Sequence, residues 1–355
     1  MNRIIGMSSF IYYNSFQDEC YSQEKIRNHE RFHLIQHFVA ELEDKNVYSK
    51  DTDLSNTSFG YVENVRTDKK VYALKKMRQM SLNDDIPESV LHEIYMLRKL
   101  KHDNVIRLFS CCVSKCDKNY RTFYLRMKFG KLDLEKLLFT EEVHFSTDEI
   151  RSLALCLLEG LAFIHNNGIL HRNISPSSVV VTKQGVLKII DFERACEYNV
   201  NGPNKIQPKR FNKGYNAPEL YLGDINYGPG IDVWGAGIII MEMFSRQSLI
   251  MGHFSGEQLN TLYMSLDVYP KCNKLPEYET YKSEMYSSKD LAFTNFLKRW
   301  IPKKDYIIVG CLHGEMLKLY PPDRVSVFDA LKCEWFKQSP PPKKTVKSLM
   351  KRLPE

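Results

Sequence analysis

A change of hydrophobic period near Lys128 constrains this chain more than any other feature. Upstream, from about residue 45, "FGYVENV" and "KVYALKKM" read as strands around a turn, and "PESVLHEIYMLRKL" reads as one helix with Val90, Leu91, Ile94 and Leu97 on a shared face. Beyond "FYLRMKF" helical segments take over, first "DLEKLL" and then "TDEIRSLALCLLEGLAFIHNNG", with short strand-like pieces at "SVVVT" and "VLKIID". The expected architecture is α+β and bilobal: a small strand-rich lobe over 45–128 and a larger helical lobe over 131–336. Residues 1–44 form an extension with one predicted helix, whose Ile35, Phe38, Val39 and Leu42 need something to pack on.

Composition narrows the class. At 355 residues and 43% hydrophobic, the chain can bury a sizeable core. No apolar run approaches the roughly 20 residues of a membrane span, and "MNRIIGMSSFIYY" is interrupted too early for a secretory core, so a cytoplasmic or nuclear protein without a membrane is expected. Nine Cys without framework spacing read as reduced thiols, and "CCVSKC" lacks the second cluster of a zinc site. The net charge of +7 is mostly a tail effect, since residues 337–355 carry six Lys/Arg against one Glu. In that tail Val346, Leu349, Met350 and Leu353 follow the spacing of a basic amphipathic helix, which would otherwise fray or dock on its own domain. There is no aromatic-interleaved basic stripe of the kind that tracks nucleic acid, and no nucleic-acid partner is expected.

Several short segments then fall in order: "YALK" ending in Lys75, "HEI" with Glu93, "HRN" with Asn173, "DFE" with Asp191, "APE" at 217–219 and "DVWGAG" at 232–237. Singly each is a cheap match. In this order and at these separations they resemble the protein kinase fold. Within it, "IPESVLHEIYMLRKLKHDNVIRL", "YLRMKFGKLDLEKLL" and "SLIMGHFSGEQLNTLYMSL" are similar to the cyclin-dependent kinases of the CMGC group, over about residues 45–336.

The resemblance implies a site for ATP with Mg²⁺. Lys75 would hold phosphates with Glu93 as its partner, Asp191 would carry the metal with Phe192 beneath it, Val62 and Ala73 would roof the adenine, Met127 would guard the back of the pocket and Phe129 would lie on the hinge. The phosphate-covering loop keeps only Gly60; Ser55 and Thr57 stand where its first two glycines belong, and their side chains obstruct backbone approach to phosphate. Nucleotide binding should therefore be weak.

Phosphoryl transfer requires positioning, metal charge and a base for the hydroxyl proton. No catalytic residue is intact. Asn173 occupies the base position, and an amide keeps the shape but has no basicity at neutral pH. Ser175 stands for the phosphate-steadying lysine, Ser178 is a poor substitute for the metal-binding asparagine, Glu193 replaces the glycine of D-F-G, and Asn212 replaces a bridging threonine. Loss of a general base alone removes ~10²–10⁴-fold. Between Asp191 and Glu219 there is no Ser or Thr to carry an activating phosphate, and of the three arginines that would bind it only Arg172 remains, with His92 and Cys196 in the other places. The frame is kept: Glu219 has a prospective partner in Arg324, and the resemblance implies that Asp232 accepts N–H groups from the "HRN" loop.

Two readings follow. The first is a pseudokinase that acts through a cyclin-like or other regulatory partner and binds ATP weakly. The second is a weak Ser/Thr kinase in which Glu193 supplies a metal carboxylate and Asn173 orients the hydroxyl. For the partner, Leu91 stands where the family inserts an isoleucine into the cyclin; the alternative is that Val90, Leu91 and Ile94 all cover the small lobe's sheet.

Overall fold

The computed structural model describes residues 43–44, 49–57, 60–67, 70–81, 88–115, 120–128, 130, 132–139, 143–199, 206, 214–250 and 298–352. The expectations for the N-terminal helix as far as residue 42, for Phe129 and Asn212, and for the stretch 251–297 lie outside the described residues; the last two residues expected in that helix, Glu43 and Asp44, form an edge strand of the small lobe instead, so the lobe starts before residue 45.

The small lobe consists of β1 (Glu43–Asp44), β2 (Ser49–Thr57), β3 (Gly60–Thr67), β4 (Lys70–Ser81), α1 (Glu88–Lys99), β5 (Leu108–Lys115) and β6 (Tyr120–Lys128). Its sheet runs β1-β5-β6-β4-β3-β2, antiparallel apart from the β1–β5 pair. The register sets Val62 opposite Lys75, Lys75 opposite Leu125 and Ala73 opposite Met127. Because side chains alternate along a strand, Ala73, Lys75, Leu125 and Met127 share one face. Leu74, Cys112 and Tyr124 form a separate buried cluster. Helix α1 buries Val90, Ile94 and Leu97 while Leu91 stays half-buried.

The large lobe follows with β7 (Leu132–Asp133), α2 (Leu134–Phe139), α3 (Thr147–Asn166), β8 (Ile169–Leu170), β9 (Val179–Val181), β10 (Leu187–Ile189), β11 (Cys196–Glu197), α4 (Pro218–Tyr221), α5 (Gly230–Ser245), α6 (Tyr306–Met316), α7 (Val327–Ala330) and α8 (Lys347–Arg352). Helix α3 starts with a capping box: Ser146 accepts from the Glu149 N–H, and the Glu149 carboxylate accepts from the Ser146 N–H at 2.9 Å. Helix α5 is mostly apolar and buries every residue from Ile231 to Ser245, the carboxylates Asp232 and Glu242 included, which makes it the axis of the lobe. Its Gly235 abuts the loop after β8; a Cβ there would lie 2.7 Å from the Ile174 carbonyl oxygen, so a side chain would push that loop out of place.

The basic tail docks on its own domain. Val346 and Leu349 are buried, the Val346 N–H donates to the Gly185 carbonyl at 2.8 Å, and the Ser348 hydroxyl and Arg352 both reach Glu149 at 2.7 Å. Lys344 pairs with Glu159. Part of the tail's charge is thus met by carboxylates of α3. Among the described residues no helix is long and apolar enough to cross a membrane.

Candidate functional site

The cleft is organised by one chain of charges. Lys75 Nζ on β4 donates to both carboxylate oxygens of Glu93 on α1 at 2.9 Å, and to Asp191 Oδ1 at 3.2 Å. The Lys75 and Glu93 side chains are 8% and 1% exposed, so neither charge could persist there unpaired. Burial alone would push the Lys75 ammonium below its usual value, but Glu93 and Asp191 outweigh it and hold it above. Lys75 is therefore a fixed cation on β4, in register with Val62 of β3. Ala73 and Met127 are buried on the same face.

The loop after β8 is held from below. Asp232, at the start of α5, accepts from the His171 N–H at 2.9 Å, the Arg172 N–H at 2.8 Å and His165 Nε2 at 2.9 Å. Burial would raise the Asp232 carboxyl, yet His165 and the His171 contacts more than offset it and keep it below its usual value. The bond to the Arg172 N–H falls on a strained residue: Arg172 adopts a left-handed φ of 67°, at ~1–3 kcal/mol for a non-glycine residue, and Asp191 adopts φ of 68°. His171 Nε2 donates to the Ile190 carbonyl at 2.9 Å and its ring meets Phe192 edge-on at 4.8 Å. Burial lowers the His171 pKa, consistent with a neutral ring whose Nδ1 accepts the Asn173 N–H.

Asn173 is brought directly to Asp191: its amide Nδ2 donates to Asp191 Oδ2 at 3.0 Å. Both oxygens of that carboxylate are consequently engaged, Oδ1 by Lys75 and Oδ2 by Asn173. An aspartate in the same place would set two carboxylates against each other, so the amide closes the site where an acid would need a cation between them. Ser178 is turned into its own loop, where its hydroxyl accepts from the Ser175 N–H at 3.0 Å and donates to the Ser175 carbonyl at 2.9 Å. The Ser175 hydroxyl meets that of Ser177 at 2.9 Å. Glu193, two residues after Asp191 in the chain, is exposed. Among the described residues no group of three or more His, Cys, Asp or Glu is placed to hold a metal ion. The described cation of this site is Lys75, and both oxygens of the Asp191 carboxylate are engaged.

At the base of the lobe Arg324 forks onto Glu219, with Nη1 and Nη2 at 2.7 and 2.9 Å from its two oxygens. Of the residues anticipated from sequence, Lys75, Glu93, Asp191 and Asn173 are joined by hydrogen bonds, and Ser175 and Ser178 lie together a turn away. Gly60 and Val62 are placed by strand register. The contacts made by Glu197, Tyr95 and Lys99 were not anticipated; their only trace in the sequence is the i, i+4 spacing of Tyr95 and Lys99 on α1.

A strand-rich lobe over a helical one, a Lys–Glu pair at the cleft and a catalytic-type loop hung on a buried Asp define a protein kinase fold. A model of the protein kinase domain matches residues 48–336, and the chain belongs to that family. It is 33% identical over 309 residues to cyclin-dependent kinase 9 of Homo sapiens, covering 83% of this chain and 82% of that protein. It is 34% identical over 313 residues to cyclin-dependent kinase 9 of Danio rerio, with the same shares. Among solved structures it is similar to a chain of the yeast RNA Pol II CTD kinase CTDK-1 complex, at TM-score 0.72 and 26% identity, covering 85% of this chain and 97% of that one. The chain is thus a cyclin-dependent-kinase-like protein kinase by family and fold.

Proposed function

We propose that this chain is a pseudokinase, a regulatory protein that binds a cyclin-like partner through α1 and binds ATP weakly, without efficient phosphoryl transfer. The observation that carries the reading is the hydrogen bond from Asn173 to Asp191. It ties the residue in the base position to the metal carboxylate, and neither a proton acceptor nor an unpaired metal ligand is left between them. If bound, ATP with Mg²⁺ would supply a transferable phosphoryl group. Lys75 would orient its phosphates, Ala73 and Met127 would border its base, and Asp191 would have to give up Asn173 or Lys75 to reach the metal. The names of the relatives, which are kinases that work with cyclins, support the choice of partner.

Thermal-shift titration tests this directly. ATP affinity is expected at or beyond the weak end of the usual ~1 μM–1 mM range for enzyme substrates, to differ little between Mg²⁺ and EDTA, and to fall at least about tenfold with Lys75→Met, or about 1.4 kcal/mol. Tight binding that requires Mg²⁺ would show that Asp191 is available to metal and would overturn the reading. The second reading, a weak kinase, draws support from the intact Lys75–Glu93 pair and from the exposure of Glu193, two residues after Asp191.

A further inference from the structure

Helix α1 must stay close to the cleft for Glu93 to reach Lys75, and the segment after Asp191 holds it there through three groups on one helix face. His92 Nε2 donates to the Ala195 carbonyl at 2.7 Å, the Tyr95 hydroxyl donates to Glu197 Oε1 at 2.9 Å, and Lys99 pairs with the same carboxylate. The Lys99 ammonium also lies 4.2 Å from the centre of the Tyr95 ring. Glu197 is itself fixed, because β11 pairs with β8, the Tyr198 N–H donates to the Gly168 carbonyl at 2.9 Å and the Tyr198 hydroxyl donates to the His165 carbonyl at 3.1 Å. The strand is thereby anchored to the end of α3, so Glu197 offers α1 a negative charge at a set height.

The Arg172 guanidinium lies 5.9 Å from the centre of the Tyr227 ring. The residues from Asp191 to Glu219 include no Ser or Thr.

We propose that Glu197 is a positioning residue: its carboxylate, together with the Ala195 carbonyl, clasps α1 through Tyr95, Lys99 and His92 and keeps Glu93 on Lys75 with no phosphate on the segment. A permanent carboxylate does here the work that an added phosphate does when a loop must be tied to a helix. The clasp rests on the reading of the cleft as a nucleotide site only for its effect on ATP; the position of α1 is a separate observable.

The test uses the full chain expressed in bacteria and confirmed unmodified by intact mass, with Glu197→Lys, Lys99→Glu and the doubly charge-swapped variant. Hydrogen exchange of residues 88–99 and ATP affinity are measured on each. The wild type is expected to protect α1. Each single change should speed its exchange and weaken ATP by about threefold to fivefold, the scale of a partly exposed pair, and the double swap should return both to within about twofold of the wild type. Singles indistinguishable from the wild type in exchange, or a double swap no better than the singles, would overturn the clasp. If no form binds ATP, the nucleotide reading fails while exchange across the four proteins still decides the clasp.

Discussion

Replacing Arg324 with alanine is expected to destabilise the protein by about 3–5 kcal/mol, the range for breaking a buried ion pair from one side. The Arg324 and Glu219 side chains are 0% and 1% exposed. Arg324 also donates to the Lys318 and Gly230 carbonyls at 3.0 and 2.9 Å and lies 5.0 Å from the centre of the Trp234 ring. Removing it strands the Glu219 carboxylate in a medium that cannot solvate it, and also takes a donor from the part-buried Lys318 and Gly230 carbonyls. Glu219→Leu combined with Arg324→Met should be less damaging than Arg324→Ala, because no charge is then buried alone. Urea denaturation of the three proteins measures this; an Arg324→Ala midpoint equal to that of the wild type would mean that the pair does not hold α4 to the start of α5.

The second large effect is expected on α1. Val90 and Ile94 are each 1% exposed and belong to the core, whereas Leu91 packs against that core but is only half-buried, which leaves part of an aliphatic side chain accessible. If this face receives a cyclin-like protein, truncating or charging its anchor should remove 2 kcal/mol or more, about a 30-fold loss of affinity. Leu91→Glu should therefore abolish capture of recombinant cyclin-box proteins that the wild type retains, with the melting temperature shifted by no more than a few degrees. Retained capture, or collapse of the isolated chain, would assign Leu91 to the core.

Periodicity locates most elements, because strands that alternate and helices that bury one stripe write their geometry into the sequence. "PESVLHEIYMLRKL" became α1, "TDEIRSLALCLLEGLAFIHNNG" became α3, and "SVVVT" and "VLKIID" became β9 and β10. Strand β5 escaped notice since "LFSCCVSK" mixes Ser and Cys into an apolar run with no clean alternation. The edge pairing of Glu43–Asp44 with β5 had no local signal, being a long-range contact of two acidic residues. In the site, the family pattern placed Lys75, Glu93, Asp191 and Asn173, but residue identity alone could not say that the Asn173 amide turns toward Asp191 or that the Ser178 hydroxyl turns away into its own loop. Those orientations depend on the left-handed backbone at Arg172 and Asp191 and on the support of Asp232, which only the folded chain brings together. The Glu197 clasp was illegible for the same reason, since its partners lie about a hundred residues apart.

Single-turnover phosphoryl transfer tests the central claim most directly, with purified chain in excess over labelled ATP and Mg²⁺, a generic Ser/Thr peptide acceptor, and the wild type compared with Asn173→Asp. Ordinary protein kinases turn over at ~1–100 per second. The wild type is expected at least ~10²-fold below that range, from loss of the base alone. Asn173→Asp should stay well below it, because Ser175 and Ser178 are unchanged and residues that act as a unit do not recover one at a time. Transfer by the wild type within the ordinary range would contradict the account, and would mean that the Asn173–Asp191 hydrogen bond opens to admit metal and substrate during turnover.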